Sequence, residues 1–113
     1  KPGSSANARA QLQACSGHAA LFHTAVCVLD TRRGLHFVEA TELTRVVFRT
    51  LLPEEIARYV ERERPLDCAG GFKVEALGIS LFERVESTDP TALIGLPLIA
   101  LARLLRECGL AIP

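Results

Sequence analysis

The sequence predicts a mixed α/β fold. Two aliphatic and β-branched runs, Ala19 to Leu29 and Leu35 to Leu51, flank a loop of turn formers, Asp30-Thr31-Arg32-Arg33-Gly34, the pattern of two strands joined as a hairpin. Three further stretches carry apolar residues at helical spacing. Of the 113 residues, 49% are hydrophobic and 23% charged, so one packed core is within reach and disorder is not expected.

The first helix is expected from Ser5 to Cys15, where Ala8, Leu12 and Cys15 share a face behind Ser4 and Ser5, either of which can cap it before Gly17 stops it. In the second strand run, Val46 and Phe48 alternate with Arg45 and Arg49, so one face is buried and the other wet. Pro53 suits the first position of a second helix. Glu54 and Glu55 follow where the helix dipole favours anions, Ile56, Tyr59 and Val60 form its apolar stripe, and it ends before Pro65. From Asp67 to Gly78 every periodicity breaks, and the paired glycines allow unusual backbone angles and close approach to a ligand. Ile79 to Val85 reads as a buried strand and Asp89-Pro90 as a turn. Pro97 opens a last helix, closed by Gly109, with Leu98, Leu101, Leu105 and Cys108 on one face.

Several function classes are set aside at once. Thirteen basic residues balance thirteen acidic ones, and the arginines are scattered, so no nucleic-acid polymer and no anionic membrane surface is expected as a partner. The longest nearly apolar run, Leu93 to Ala102, holds Gly95 and Pro97 and is far short of the roughly 20 residues that span a bilayer. Cys15, Cys27, Cys68 and Cys108 have no zinc-ligand spacing and read as reduced and mostly packed, in a cytoplasmic protein without a secretory signal. His18, His23 and His36 lie in strand patterns with no partner at ligand spacing and read as structural. No metal-ligand set is assigned among the residues.

Gly70-Gly71 is too short for a Walker or dinucleotide fingerprint, and alone it reads equally well as a tight turn. The wider segment, Asp67-Cys68-Ala69-Gly70-Gly71-Phe72-Lys73-Val74-Glu75, resembles the Asp-Lys-Ala-Gly-Gly-Tyr-Gly-Ile-Gln segment of the Maf (septum-formation-like) nucleoside-triphosphate pyrophosphatases. Lys1-Pro2 resembles the end of that family's Gly-Lys-Pro motif, Ser16-Gly17-His18 its Ser-Gly-x-x-His, Thr24-Ala25 its Thr-Gly, and Gly95-Leu96-Pro97-Leu98 its C-terminal Gly-Leu-Pro-Leu. Phe72-Lys73 and Glu75, with Ser80 to Arg84 and Asp89 to Leu101, look like the branch that hydrolyses 7-methyl-GTP; the branches preferring dTTP and UTP carry tyrosine-glycine and glutamine at the first two places.

The resemblance implies a Maf/ITPase-like domain with a bent mixed sheet and flanking helices, of which residues 1–113 form the C-terminal portion. It implies hydrolysis between the α and β phosphates of a nucleoside triphosphate, with a divalent metal, Mg or Mn, as cofactor. Lys1 matches the active-site lysine and suits phosphate contact as a point charge. Glu75 matches the base-specificity position: a carboxylate can accept the two parallel donors on guanine's edge, and N7 methylation adds positive charge to the ring. Gly70 and Gly71 become backbone that approaches the nucleotide. Phe72 either stacks on the base or packs, Lys73 is either a phosphate ligand or a surface residue, and Asp67 orders the loop.

The family's Ser-x-Ser-x-Arg-Arg loop and its proton-accepting aspartate do not occur after Lys1. The expectation is therefore a fragment without the catalytic base, inactive alone and with an exposed apolar surface. Arg32-Arg33 lacks the serine motif and reads as a solvent-exposed turn. A non-catalytic nucleotide-binding or dimerising module is the alternative, with a homodimer among the associations considered.

Overall fold

The computed structural model describes residues 1–32 and 34–113; Arg33, half of the predicted arginine turn, lies outside the described residues. Three helices, α1 (Ser5–Cys15), α2 (Pro53–Glu63) and α3 (Leu98–Glu107), accompany an antiparallel sheet in the order β1 (Ala19–Asp30), β2 (His36–Phe48), β3 (Phe82–Glu86). The mixed α/β class predicted from periodicity is the class observed. The chain forms two compact units, each built from two separate stretches: Lys1–Ala20 with Arg45–Val85, and Leu21–Thr44 with Glu86–Pro113.

In the first unit, α1 begins where Ser4 accepts the Asn7 N–H at 3.2 Å, and Ala8 and Leu12 are its buried face. Helix α2 starts at Pro53, and the Glu55 side chain accepts the Leu52 N–H at 3.1 Å, the return half of a capping box. It buries Ile56, Tyr59 and Val60 and ends at Arg64, whose left-handed φ of 46° turns the chain into Pro65. Three rings close this core edge to face: Phe48 meets Phe72 at 5.7 Å and Phe82 at 5.2 Å, and Phe72 meets Phe82 at 4.9 Å. Aromatic pairs in this geometry add roughly 0.5–1.5 kcal/mol each beyond the area they bury.

The stretch predicted as a buried strand, Ile79 to Val85, is different. Leu77–Leu81 forms a 3₁₀ turn, and the strand begins only at Phe82, with residues 83–86 exposed. At the start of that turn Gly78 sits against the backbone of Lys73, where an added Cβ would fall 2.2 Å from the Lys73 oxygen. Leu81 alone of the predicted stretch is fully buried.

In the second unit, Val26, Ala100 and Leu104 form the core, with Val28, Val38, Ala40 and Leu101 packed on it. The buried face of α3 is therefore Ala100, Leu104 and Cys108; Leu98 of the predicted stripe is exposed and Leu105 only half-buried. Two residues outside the helix organise its start. Asp89 Oδ2 accepts the Ile99 N–H at 2.9 Å, and the Thr91 hydroxyl accepts the Leu98 N–H at 2.8 Å. A buried carboxylate at a helix N-terminus satisfies orphan donors and complements the dipole.

The hairpin turn is anchored rather than merely solvated. Asp30, buried, pairs with Arg32 through two hydrogen bonds of 3.0 Å, and Arg32 also donates to the Cys108 carbonyl at 2.7 Å. Arg32 is exposed, as expected, but its guanidinium helps to compensate the charge of a buried carboxylate. Leu21, Leu29, Leu35, Phe37 and Leu43 are exposed in this unit, in keeping with the exposed apolar surface expected from the sequence.

All four cysteines are free; Cys108 is buried, Cys15 and Cys68 are partly so, and Cys27 is exposed. The three histidines are exposed on their strands or turns rather than packed. Among the described residues no helix is long and apolar enough to cross a membrane.

Candidate functional site

The loop from Asp67 to Gly78 lies wholly in the first unit, and each of its features has a local cause. Ala69–Gly71 makes a 3₁₀ turn closed by the Gly71 N–H on the Cys68 carbonyl at 3.0 Å. Gly70 and Gly71 both take left-handed φ values, 78° and 76°. Two consecutive residues in that region would strain any side chain, so the paired glycines are required by the backbone itself. Gly71 is buried against α1, where an added Cβ would lie 3.5 Å from Gln11 and 3.8 Å from the Ala8 carbonyl.

Phe72 then turns into the core. It is 5% exposed and packed by Phe48 and Phe82, so of its two predicted roles the ring packs, and its contribution is to hold the loop in place. Lys73 is half-buried, and its N–H donates to the Tyr59 hydroxyl at 2.9 Å. Glu75 is exposed at the outer bend of the loop, as is Asp67 at its start.

Lys1 is exposed at the far end of the sequence, yet the segment that carries it is tied to the base of this loop. Pro2 is buried and its carbonyl accepts from the Asn7 side chain at 3.0 Å. Gly3 donates its N–H to the Leu66 carbonyl at 2.9 Å, one residue before Asp67. The segment bearing Lys1 and the start of the loop are thus held together by a direct backbone bond. Gly71 and Phe72 are buried, whereas Lys1 and Glu75 are exposed and Gly70 and Lys73 half-buried; all lie on the loop or on the segment bonded to its foot.

Two residues outside the predicted set shape the loop. Tyr59 was visible in the sequence only as part of an apolar stripe; the signal for more was that a buried tyrosine needs a partner for its hydroxyl. Burial pushes its phenol up to about 12, the Lys73 N–H partly offsets this, and the nearby negative charges of Glu63, Cys68 and Glu75 add to it. Gly78 is the other. A Cβ there would fall 2.2 Å from the Lys73 oxygen and 2.9 Å from its nitrogen, so the loop closes on itself only with glycine.

Beside the loop a hollow of about 170 Å³ is lined by Arg49, Arg58, Arg62, Glu55, Tyr59 and Ser80 among others. Arg49 pairs with Glu55 at 2.7 Å and donates to the Ser80 carbonyl at 2.8 Å. The Arg49 hydrogen bond, followed by the Leu52 N–H, holds the Glu55 carboxyl below its ordinary range. Among the described residues no three His, Cys, Asp or Glu side chains converge as metal ligands. The loop's Asp67 and Glu75 do not form a set that fits a divalent cation.

The class that the fold defines is a mixed α/β domain whose glycine-paired loop carries an exposed carboxylate, with the lysine-bearing segment bonded to its foot. The comparison with known families makes this specific: the model for "Maf-like protein" matches residues 1–108, and the chain belongs to that family. A protein of Xanthomonas oryzae pv. oryzae named 7-methyl-GTP pyrophosphatase is 58% identical over 113 residues, which is all of this chain and 58% of that protein. Proteins bearing the same name from Aromatoleum aromaticum and Chromohalobacter salexigens are 55% and 54% identical, over 100% and 97% of this chain. The chain spans under three-fifths of the length of these relatives.

Proposed function

We propose that this chain supplies the base-recognition loop and a phosphate-facing lysine of a cytoplasmic nucleoside-triphosphate pyrophosphatase acting on 7-methyl-GTP. The observation that carries the reading is the Gly3–Leu66 hydrogen bond, which ties the segment bearing Lys1 to the foot of the loop bearing Glu75. Relatives of that name, at 50–58% identity over the whole of this chain, support the choice of substrate.

In the proposed reaction water attacks the α phosphorus and the bond to the bridging oxygen breaks, giving the monophosphate and pyrophosphate. Lys1 contributes positive charge toward the phosphates as charge develops on the phosphoryl oxygens. Glu75 accepts the parallel N–H donors of guanine's edge, and the methylated ring's positive charge strengthens that pairing. Gly70 and Gly71 let the backbone come close to the nucleotide. The general base is assigned to no residue of this chain. A divalent ion such as Mg or Mn would neutralise phosphate charge when bound, though among the described residues no set of three or more His, Cys, Asp or Glu side chains converges to hold it.

The test is pyrophosphate release from 7-methyl-GTP, UTP and dTTP with magnesium, using the product of the complete gene. Glu75→Gln is expected to shift preference away from 7-methyl-GTP by about tenfold or more, since a good bidentate contact discriminates by about 1–3 kcal/mol. Equal losses on all three substrates would contradict the recognition role, and binding without turnover would favour a non-catalytic nucleotide module.

A further inference from the structure

The hollow beside the loop has no part in the reaction just described, yet its chemistry is specific. Its charged lining is three guanidinium groups against one carboxylate, in a chain whose charges balance overall. Glu55 is already committed, to Arg49 at 2.7 Å and to the Leu52 N–H at 3.1 Å. Arg58 lies close enough to help depress Glu55, but among the described residues neither it nor Arg62 has a hydrogen bond or ion pair of its own. The two stand four apart on α2, a spacing at which like charges face and repel each other.

A third donor completes the set. Tyr59 is 5% exposed and lines the same hollow. Its oxygen accepts from the Lys73 N–H, which uses a lone pair and leaves the O–H proton to give. Among the described residues no acceptor takes that proton. A nearly buried hydroxyl with an unused donor, flanked by two unpaired guanidinium groups on one helix face, is what an oxyanion of high charge requires.

We propose that this hollow binds a phosphate or pyrophosphate anion, with Arg58 and Arg62 as its charge partners, the Tyr59 O–H as its directional donor and Arg49 as a rim fixed by Glu55. Guanidinium suits this better than ammonium because its planar fork meets two phosphate oxygens at once. Occupancy is coupled to the loop. A hydroxyl that donates becomes a better acceptor, so the bound anion strengthens the Tyr59–Lys73 bond and steadies the segment leading to Glu75.

The chain has one tyrosine and no tryptophan, so its intrinsic fluorescence reports from the hollow itself. Inorganic phosphate, pyrophosphate, sulfate and chloride are titrated at constant ionic strength, with the Lys73 amide followed by NMR as the positional readout. The expected result is a saturable change with pyrophosphate and a weaker one with phosphate, a Lys73 amide shift that tracks it, and no saturation with chloride. The double change Arg58→Gln with Arg62→Gln is expected to weaken pyrophosphate binding at least about tenfold. Arg103→Gln, which removes a guanidinium paired to Glu107 on α3, is expected to leave it unchanged. Both exposed α2 positions tolerate glutamine, and circular dichroism verifies that the double variant folds. Equal responses to chloride and pyrophosphate overturn the proposal, as does saturable binding that the double variant retains. Pyrophosphate bound through these arginines by a protein that fails to discriminate bases sinks the Glu75 reading and leaves this one standing.

Discussion

The Tyr59 hydroxyl accepts the backbone N–H of Lys73 at 2.9 Å, fastening the middle of helix α2 to a loop fourteen residues further along the chain. This one bond links an element with a strong apolar stripe to a segment with almost none. The loop's other supports are the Phe72 ring in the core and the Gly71 backbone against α1, so Tyr59 holds the part nearest Glu75.

Replacing Tyr59 with phenylalanine keeps the ring and removes the acceptor. The Lys73 N–H is then left unpaired, at a cost of about 1–3 kcal/mol. Urea unfolding measures this directly, and hydrogen exchange at the Lys73 amide should accelerate in step. A change below about 0.5 kcal/mol would show that water replaces the hydroxyl without penalty.

Because Tyr59 is the single tyrosine, phenolate absorbance titrates one group only. Its midpoint is expected at about 12, against about 10 for a free tyrosine. The folded state holds the proton more tightly than the unfolded one. Stability is therefore intact below about pH 10 and falls as pH rises from there toward the folded value. A midpoint near 10 would mean that the ring is solvated.

Gly78→Ala and Gly71→Ala test two different reasons for glycine. At Gly78 the added carbon would fall 2.2 Å from the Lys73 oxygen, so the backbone must move; a loss at or above the usual overpacking range of about 1–3 kcal/mol is expected. At Gly71 space is ordinary, with the nearest atom at 3.5 Å, but φ is 76°. There the conformational penalty of roughly 1–2 kcal/mol applies alone. Thermal melts that reverse this order would refute the close approach at Lys73.

Asp89 gives a pH dependence of opposite sign to that of Tyr59. Burial pushes its carboxyl up, but the Thr91 hydroxyl and the Thr91, Ile99 and Ala100 N–H groups together outweigh this and hold it below its ordinary value. Its contribution is present above the ordinary carboxylate pKa of about 4 and is lost as pH falls through the lower folded value. Asp89→Asn should lower stability at neutral pH and flatten the acid limb of the stability curve. An unchanged acid limb would place the sensitivity elsewhere.

Where local rules act alone, the sequence was a good guide. Helix α1 and helix α2 begin and end where Ser4, Gly17, Pro53 and Pro65 say they should, and Ile56, Tyr59 and Val60 are buried as their spacing requires. It was a poor guide where distant partners decide. Ile79 to Val85 has a strand's composition, but the contact of Gly78 with the Lys73 backbone, five residues back, is a backbone fit that side-chain pattern does not encode. The N-terminus of α3 is served by Asp89 and Thr91 from seven to ten residues away. At the loop, glycine pairing announced an unusual backbone, whereas the packing of Phe72 and the arginines around Tyr59 depend on which rings and helices come together. The roles given to Lys1 and Glu75 rest on family resemblance, since an exposed lysine and an exposed loop carboxylate have no signature of their own.

Each compact unit is assembled from two separate stretches of sequence, with residues 21–44 of one unit lying between the two stretches of the other. No single cut therefore releases either unit intact. A genetic exchange with crossover points at Ala20 and Arg45 would swap the hairpin of residues 21–44 while leaving Lys1, Tyr59 and Glu75 together. A single crossover anywhere between those points would separate Gly3 from the Leu66 carbonyl it is bonded to, and with it Lys1 from the loop. Exchange of either whole unit between relatives thus takes three crossover points, at the junctions after Ala20, Thr44 and Val85.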